Sequence, residues 1–253
     1  MRKFAVIDVG SNSVRLMLVA DGKVLYKSVN TTRLGEGLAE RPVLTKEAIE
    51  RTALAVAQYY WKAKTEGAEE IYAFATAAVR TAENGKDFVK RVEMLCSLQV
   101  EVISGETEAE IGILGALGNE DGALIDVGGA STEIVVKERR KIIYKKSVNI
   151  GVVRLKDRCG REKFPLIAAS AFAVKEYGQV PRIRTAYAIG GTATTLAALQ
   201  LGLKVYDPEK VTGTEILREE MQRMSEKLLE MSEKEIAALP CMPKGRADVI
   251  TGG

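Results

Sequence analysis

The stretch Asp8-Val9-Gly10-Ser11-Asn12-Ser13 sets a carboxylate, a glycine and three small polar side chains in a row. A near copy follows at Asp126-Val127-Gly128-Gly129-Ala130-Ser131-Thr132-Glu133. Glycine lets a backbone turn and approach a ligand without a Cβ in the way. Successive N–H groups and hydroxyls at such a turn form a concave nest for anions. Gly10, Ser11, Asn12 and Ser13 are therefore read as one phosphate-holding loop, and Gly128, Gly129, Ser131 and Thr132 as a second. Asp8 and Asp126 supply hard oxygen ligands of the kind that Mg²⁺ (or Mn²⁺) shares with phosphates. A third glycine pair, Gly190-Gly191-Thr192, ends an apolar run and opens a helical one. It suits either an anion held by helix N-terminal amides or a turn kept tight for packing.

These groups must be carried by matching elements. "AVIDVGSNSVRLMLV" laid over "ALIDVGGASTEIVVK" keeps the apolar residues in phase, with Asp8 and Asp126 separated by 118 residues. An internal repeat of this length points to a duplicated domain and not to a solenoid. Each copy reads as a strand, a tight glycine turn and a second strand. In the first half a third strand follows the Asp21-Gly22 turn. Thr45 then caps a helix with Ile49, Ala53, Val56, Ala57 and Tyr60 on one face, ended by Gly67. Strands at 69–76 and 99–104 alternate with helices at 86–95 and 106–117. In the second half come a basic hairpin, a helix at 165–177, the strand "TAYAIGG" and a helix opening at "TATTLAAL". A long helix carries Leu217, Met221, Met224 and Leu228 on one side, and a capping box stands at Ser232–Glu235. The boundary is placed in the Gly118–Gly122 loop, giving domains 1–118 and 119–253.

Composition narrows the chemistry further. The chain has 253 residues, 46% hydrophobic and 28% charged, with a net charge of +3, so it is a globular protein with no general pull toward nucleic acid. No apolar run approaches the roughly 18 residues that a membrane helix needs. Three widely spaced cysteines read as free thiols of a cytoplasmic protein. There is no histidine, which excludes histidine general bases, histidine triads and histidine-bound zinc. Neither a Walker A pattern nor GxGxxG occurs.

The ordered motifs DVGSNSVRL, ATAAVR, ISGETEAE, DVGGASTE, GGTATT and GRADVI span nearly the whole chain. Together they resemble the exopolyphosphatase/guanosine pentaphosphate phosphohydrolase family, within the actin-like ATPase (sugar kinase, Hsp70) superfamily. The resemblance implies an α/β protein of two ribonuclease H-like domains facing across a cleft, and a homodimer. It implies that Arg80 is an active-site arginine and that Glu108 activates the attacking water. Glu133, at the end of the second loop motif, would orient a metal-bound or attacking water. Thr107 stands where the family usually has the first of two glutamates, so the base is assigned to Glu108 and not Glu106. Ala130 replaces the commonest third glycine of the second loop. Relatives continue past Gly253, so the second domain is expected to lack its closing helix here.

The implied reaction is Mg²⁺-assisted hydrolysis of a terminal phosphoanhydride of inorganic polyphosphate. Such a transfer needs positioning and charge neutralisation more than covalent help. Guanosine pentaphosphate is the rival substrate. A nucleotide-binding sensor, or a small-molecule kinase of the same fold, is the alternative of another class. Lys137, Arg139, Arg140, Lys141, Lys145 and Lys146 gather on one hairpin, either as a solvated turn or as a runway for a long polyanion.

Overall fold

The computed structural model describes residues 2–253, and the chain divides into two compact units between Glu108 and Ala109.

In the first unit β1 (Lys3–Val9) and β2 (Ser13–Ala20) form an antiparallel pair that sets Ile7 opposite Leu16 and Asp8 opposite Arg15. Ala5, Ile7 and Val9 alternate into the core at 0–1% exposure, the period of two that a half-buried strand requires. β3 (Lys23–Thr31) continues the sheet antiparallel to β2. α1 (Lys46–Thr65) starts where the Thr45 hydroxyl accepts the Ala48 N–H at 3.1 Å, and it buries Ile49, Ala53, Val56 and Ala57. Gly67, at φ +82°, turns the chain out of it. β4 (Glu70–Ala75) then lies parallel to β1. α2 (Ala77–Thr81), too short to show a period, is an element the sequence reading lacks. α3 (Gly85–Cys96) packs on α1 through the fully buried Phe88 and Val92. Above them the Arg91 guanidinium grips Glu50 with two bonds, of 2.7 and 2.8 Å. β5 (Val100–Val102) is parallel to β4. The order β3-β2-β1-β4-β5 is the ribonuclease H-like arrangement.

α4 (Gly105–Leu117) crosses the division. Its Ala109, Ile113 and Leu117 pack with Leu124 and Val135 of the second sheet. These contacts group the C-terminal part of α4 with the second unit.

The second unit repeats the plan. β6 (Gly122–Val127) and β7 (Thr132–Glu138) pair antiparallel, with Asp126 opposite Glu133. β8 (Lys141–Val148) extends the meander. Two helices follow: α5 (Val152–Cys159), which the sequence reading lacks, and α6 (Lys163–Tyr177). α6 is apolar on every side yet buries only Leu166 and Ala173. β9 (Ala186–Ile189) runs parallel to β6 and closes the order β8-β7-β6-β9 as an edge strand. α7 (Gly190–Gln200) begins at Gly190, two residues before the expected start. After the short α8 (Pro208–Val211) comes α9 (Arg218–Glu230), which contributes Met224 and Leu228 to a small core with Ile236 and Ile250. Leu217, expected on the buried side, is 63% exposed because it precedes the first turn of that helix. α10 (Glu233–Ala237) carries the expected Ser232–Glu235 capping box.

Candidate active site

In the first unit three chain segments leave the carboxyl ends of adjacent parallel strands. The strand register sets Asp8 beside Phe74, Val9 beside Ala75, and Ala75 beside Val102. The Gly10–Asn12 loop follows β1, Thr76 and α2 follow β4, and Ser104 and α4 follow β5. The Thr76 N–H donates to the Val9 carbonyl at 3.2 Å, and the Ile103 N–H to the Ala75 carbonyl at 3.0 Å. Ligands of open α/β sheets bind at this end of the strands.

Two of the implied catalytic side chains meet there. Arg80 projects from α2, and its Nη1 donates to the Ile103 carbonyl at 2.8 Å and to Glu108 Oε2 at 3.3 Å. Glu108 stands in the first turn of α4, whose start is fixed by the Ser104 hydroxyl accepting the Thr107 N–H at 3.0 Å. The side chains of Arg80 and Glu108 are 22% and 20% exposed, so the pair is shielded but reachable. Both contacts use Nη1, which leaves the other arm of the guanidinium fork for an anion. Glu106, one turn-step away, is exposed.

The first loop is braced from behind by its carbonyls. The Asn12 carbonyl accepts from the Thr32 and Arg33 N–H groups at 3.1 and 2.9 Å, and the Ser11 carbonyl from Gly35 at 2.8 Å. The Gly10 N–H closes the turn on the Ser13 carbonyl at 3.0 Å. The N–H groups of Ser11 and Asn12 donate to no backbone acceptor among the described residues. The second loop is built alike: Gly128 N–H to Ser131 carbonyl at 3.0 Å, and the Gly129 carbonyl accepting from Val153 and Arg154 at 2.8 and 3.2 Å. Again the loop N–H groups, those of Gly129 and Ala130, find no backbone acceptor among the described residues. Gly151 presses on this loop so closely that a Cβ there would lie 2.6–2.7 Å from its backbone atoms.

Asp8 accepts from Arg15 Nη1 at 2.9 Å. Asp126 lies against the start of α7: a Cβ on Gly190, whose φ is +86°, would stand 2.5 Å from Asp126 Oδ1. Thr192 is buried at 2% and turns its hydroxyl toward the Val127 carbonyl at 3.5 Å, and the Arg246 guanidinium covers Gly191. Gly190, Gly191 and Thr192 are thus brought to the end of β6 that carries Asp126. Glu133 is 1% exposed and accepts from the Ser147 hydroxyl at 2.6 Å. Burial, with the Glu133 charge added, pushes the neighbouring Tyr177 hydroxyl well above its ordinary range.

The donor set fits a hard divalent ion. In the first unit it consists of the Asp8 carboxylate, the Ser11 and Ser13 hydroxyls and the Asn12 side-chain oxygen, which is buried and has no hydrogen-bond partner among the described residues. A buried acceptor left unpaired costs about 1–3 kcal/mol, a cost that a metal-bound water or ligand donor would remove. No three His, Cys, Asp or Glu side chains gather as a cage among the described residues. Mg²⁺ commonly uses one or two carboxylates, with water and substrate phosphates completing its shell.

Four site residues escaped the sequence reading. Arg15 partners Asp8, Arg246 lies on Gly191, and Lys156 holds the buried Asp248 at 2.6 Å. Arg246 and Asp248 sit within the GRADVI motif, which was the available signal. The basic hairpin is largely spoken for. Lys137 is buried and donates to the Gly118 carbonyl, Lys145 pairs with Glu110, and Lys146 reaches the Glu176 carbonyl.

The profile of the Ppx/GppA phosphatase family matches residues 4–253. Exopolyphosphatase 2 of Mycobacterium tuberculosis is 32% identical over 282 aligned positions, which cover 100% of this chain and 88% of that protein. A guanosine-5'-triphosphate,3'-diphosphate pyrophosphatase of Photobacterium profundum is 29% identical, over 90% of this chain but 49% of its own length. The crystal structure of the Aquifex aeolicus Ppx/GppA family member superposes with a TM-score of 0.79 at 31% identity, covering 100% of this chain and 87% of that one.

Proposed function

The chain belongs to the Ppx/GppA phosphatase family, and from that premise we propose that it hydrolyses the terminal phosphoanhydride of inorganic polyphosphate in the cytoplasm, releasing orthophosphate. The observation that carries this reading is the contact of Arg80 with Glu108 at the carboxyl ends of β4 and β5. A guanidinium that binds non-bridging phosphate oxygens and a carboxylate that accepts a proton from water are the two parts that in-line hydrolysis needs from side chains. The loop amides of Ser11 and Asn12, in the same unit, supply further anion contacts. Asp8 is proposed as a metal-holding carboxylate of the first unit and Asp126 of the second, and Mg²⁺ or Mn²⁺ when bound would neutralise phosphate charge. Glu108 takes the proton from the attacking water while Arg80 keeps the reacting phosphoryl group in line with it. Ser147 fixes the Glu133 carboxylate from which a site water is oriented.

Guanosine pentaphosphate is the second reading, because relatives named for that type of activity also match. Polyphosphate is preferred because the exopolyphosphatase relative shares nearly its whole length with this chain, while the pyrophosphatase relative shares only half. The deciding experiment offers long polyphosphate, short polyphosphate, guanosine pentaphosphate and ATP separately with Mg²⁺, and measures phosphate released by wild type and Glu108→Gln. Release from polyphosphate that collapses in the variant is the expected result. Release from none of the four would point to a nucleotide sensor.

A further inference from the structure

The two halves of the internal repeat differ in charge at one paired position. Asp8 stands opposite Arg15 in the β1–β2 pair, whereas Asp126 stands opposite Glu133 in the β6–β7 pair. Arg15 and Glu133 keep the same 118-residue spacing as the two aspartates. Directly opposed residues on one sheet face have side chains within contact range. In the first unit that contact is made: Arg15 Nη1 reaches Asp8 Oδ2 at 2.9 Å. In the second unit the same hairpin forms with an acid in place of the arginine, so the arginine is not something the hairpin requires. Its side chain is 43% exposed and that of Asp8 23% exposed, which leaves the pair open to exchange with solutes.

We propose that Arg15 is a built-in counter-cation for Asp8. It holds the carboxylate that a divalent ion would use. Phosphate oxygens offer the guanidinium a stronger, two-pronged partner than one carboxylate oxygen does. When a phosphate chain arrives, Arg15 moves to it and Asp8 becomes available to the metal. Metal capture at the first loop is thereby made to follow substrate, and Arg15 acts as a positioning residue. This inference rests on the reading of Asp8 as a metal ligand.

The test is a Mn²⁺ titration of the full chain, followed by the electron spin resonance signal of the free ion, first without any phosphate compound. Arg15→Gln removes a positive charge from the metal's neighbourhood, and its Mn²⁺ affinity should rise by about five- to tenfold over wild type. Arg15→Lys, which keeps the charge, should stay near wild type. The double variant Asp8→Asn/Arg15→Gln should lose the gain. Adding a methylene-bridged, non-hydrolysable phosphate chain should tighten Mn²⁺ binding in wild type and narrow its gap from Arg15→Gln. An Arg15→Gln variant that melts as a folded protein yet binds Mn²⁺ no better than wild type would overturn the proposal. So would a gain that survives in the double variant. Failure of the underlying assignment looks different: Asp8→Asn would then leave Mn²⁺ affinity intact even with the phosphate chain bound.

Discussion

In the proposed reaction Glu108 is the proton acceptor and Arg80 the anion holder, two side chains that touch at 3.3 Å. A glutamine at position 108 keeps the shape and the contact with Arg80 but cannot take a proton. General-base assistance is worth about 10²–10⁴-fold, so Glu108→Gln should lose turnover on that scale while KM for polyphosphate stays within a few-fold. Steady-state phosphate release over a range of chain concentrations separates the two constants. A KM effect with turnover preserved would mean that Glu108 binds and does not activate.

At the scale of elements, the turn from β9 into α7 is held open by the lack of a side chain. Gly190 combines φ +86° with the Asp126 carboxylate lying 2.5 Å from its would-be Cβ. Gly190→Ala should therefore displace that carboxylate and strain the backbone, a cost of about 1–3 kcal/mol. The expected outcome is a lower melting temperature and weaker Mn²⁺ binding, read by calorimetry and by metal titration. The β7–β8 turn makes a second case. Arg139 and Arg140 take positive φ of 50° and 62°, and the Asp121 carboxylate accepts both of their N–H groups at 2.7 and 2.8 Å. The bond from the Arg140 N–H, aided by that from Arg139, holds the Asp121 carboxyl below its ordinary 3.8. A depressed carboxylate stabilises the fold fully above the unfolded value and ceases to as pH falls through the folded one. The melting-temperature deficit of Asp121→Ala should accordingly be present at neutral pH and shrink below pH 3.8. The elements themselves were largely legible in the sequence, because alternating apolar residues, Thr45, Gly67 and the Ser232 box are local signals. α2 and α5 were not, since five and eight residues are too few to establish a period. Arg80 and Glu108 were legible only through the resemblance, as nothing local sets them apart from a surface arginine and a first-turn acid. The Lys156–Asp248 pair spans 92 residues, and only folding reveals such a neighbour.

For the whole molecule, each unit holds its own apolar core. The first runs from Ala5 to Val100, and the second is split into smaller clusters around Leu124, Ile236, Val152 and Ala198. No carboxylate cage knits the chain together among the described residues. Removal of divalent ions by EDTA should therefore stop phosphate release while far-ultraviolet circular dichroism stays unchanged, and Mg²⁺ or Mn²⁺ should restore it. An unfolding transition on chelation would give the metal a structural role instead. The uneven sheets carry a separate consequence. The first ends in β5, while the second ends in β9, whose outer backbone edge has no strand beside it among the described residues. A bare edge is a template for chain-to-chain stacking. Here it is only four residues long and is approached through Pro181, Arg182 and Arg184, a proline and two charges of the kind that repel a would-be neighbour. Exchanging both arginines for threonine should turn a clear solution cloudy on warming, earlier than wild type by light scattering. These two arginines would then be guardians of solubility with no part in hydrolysis.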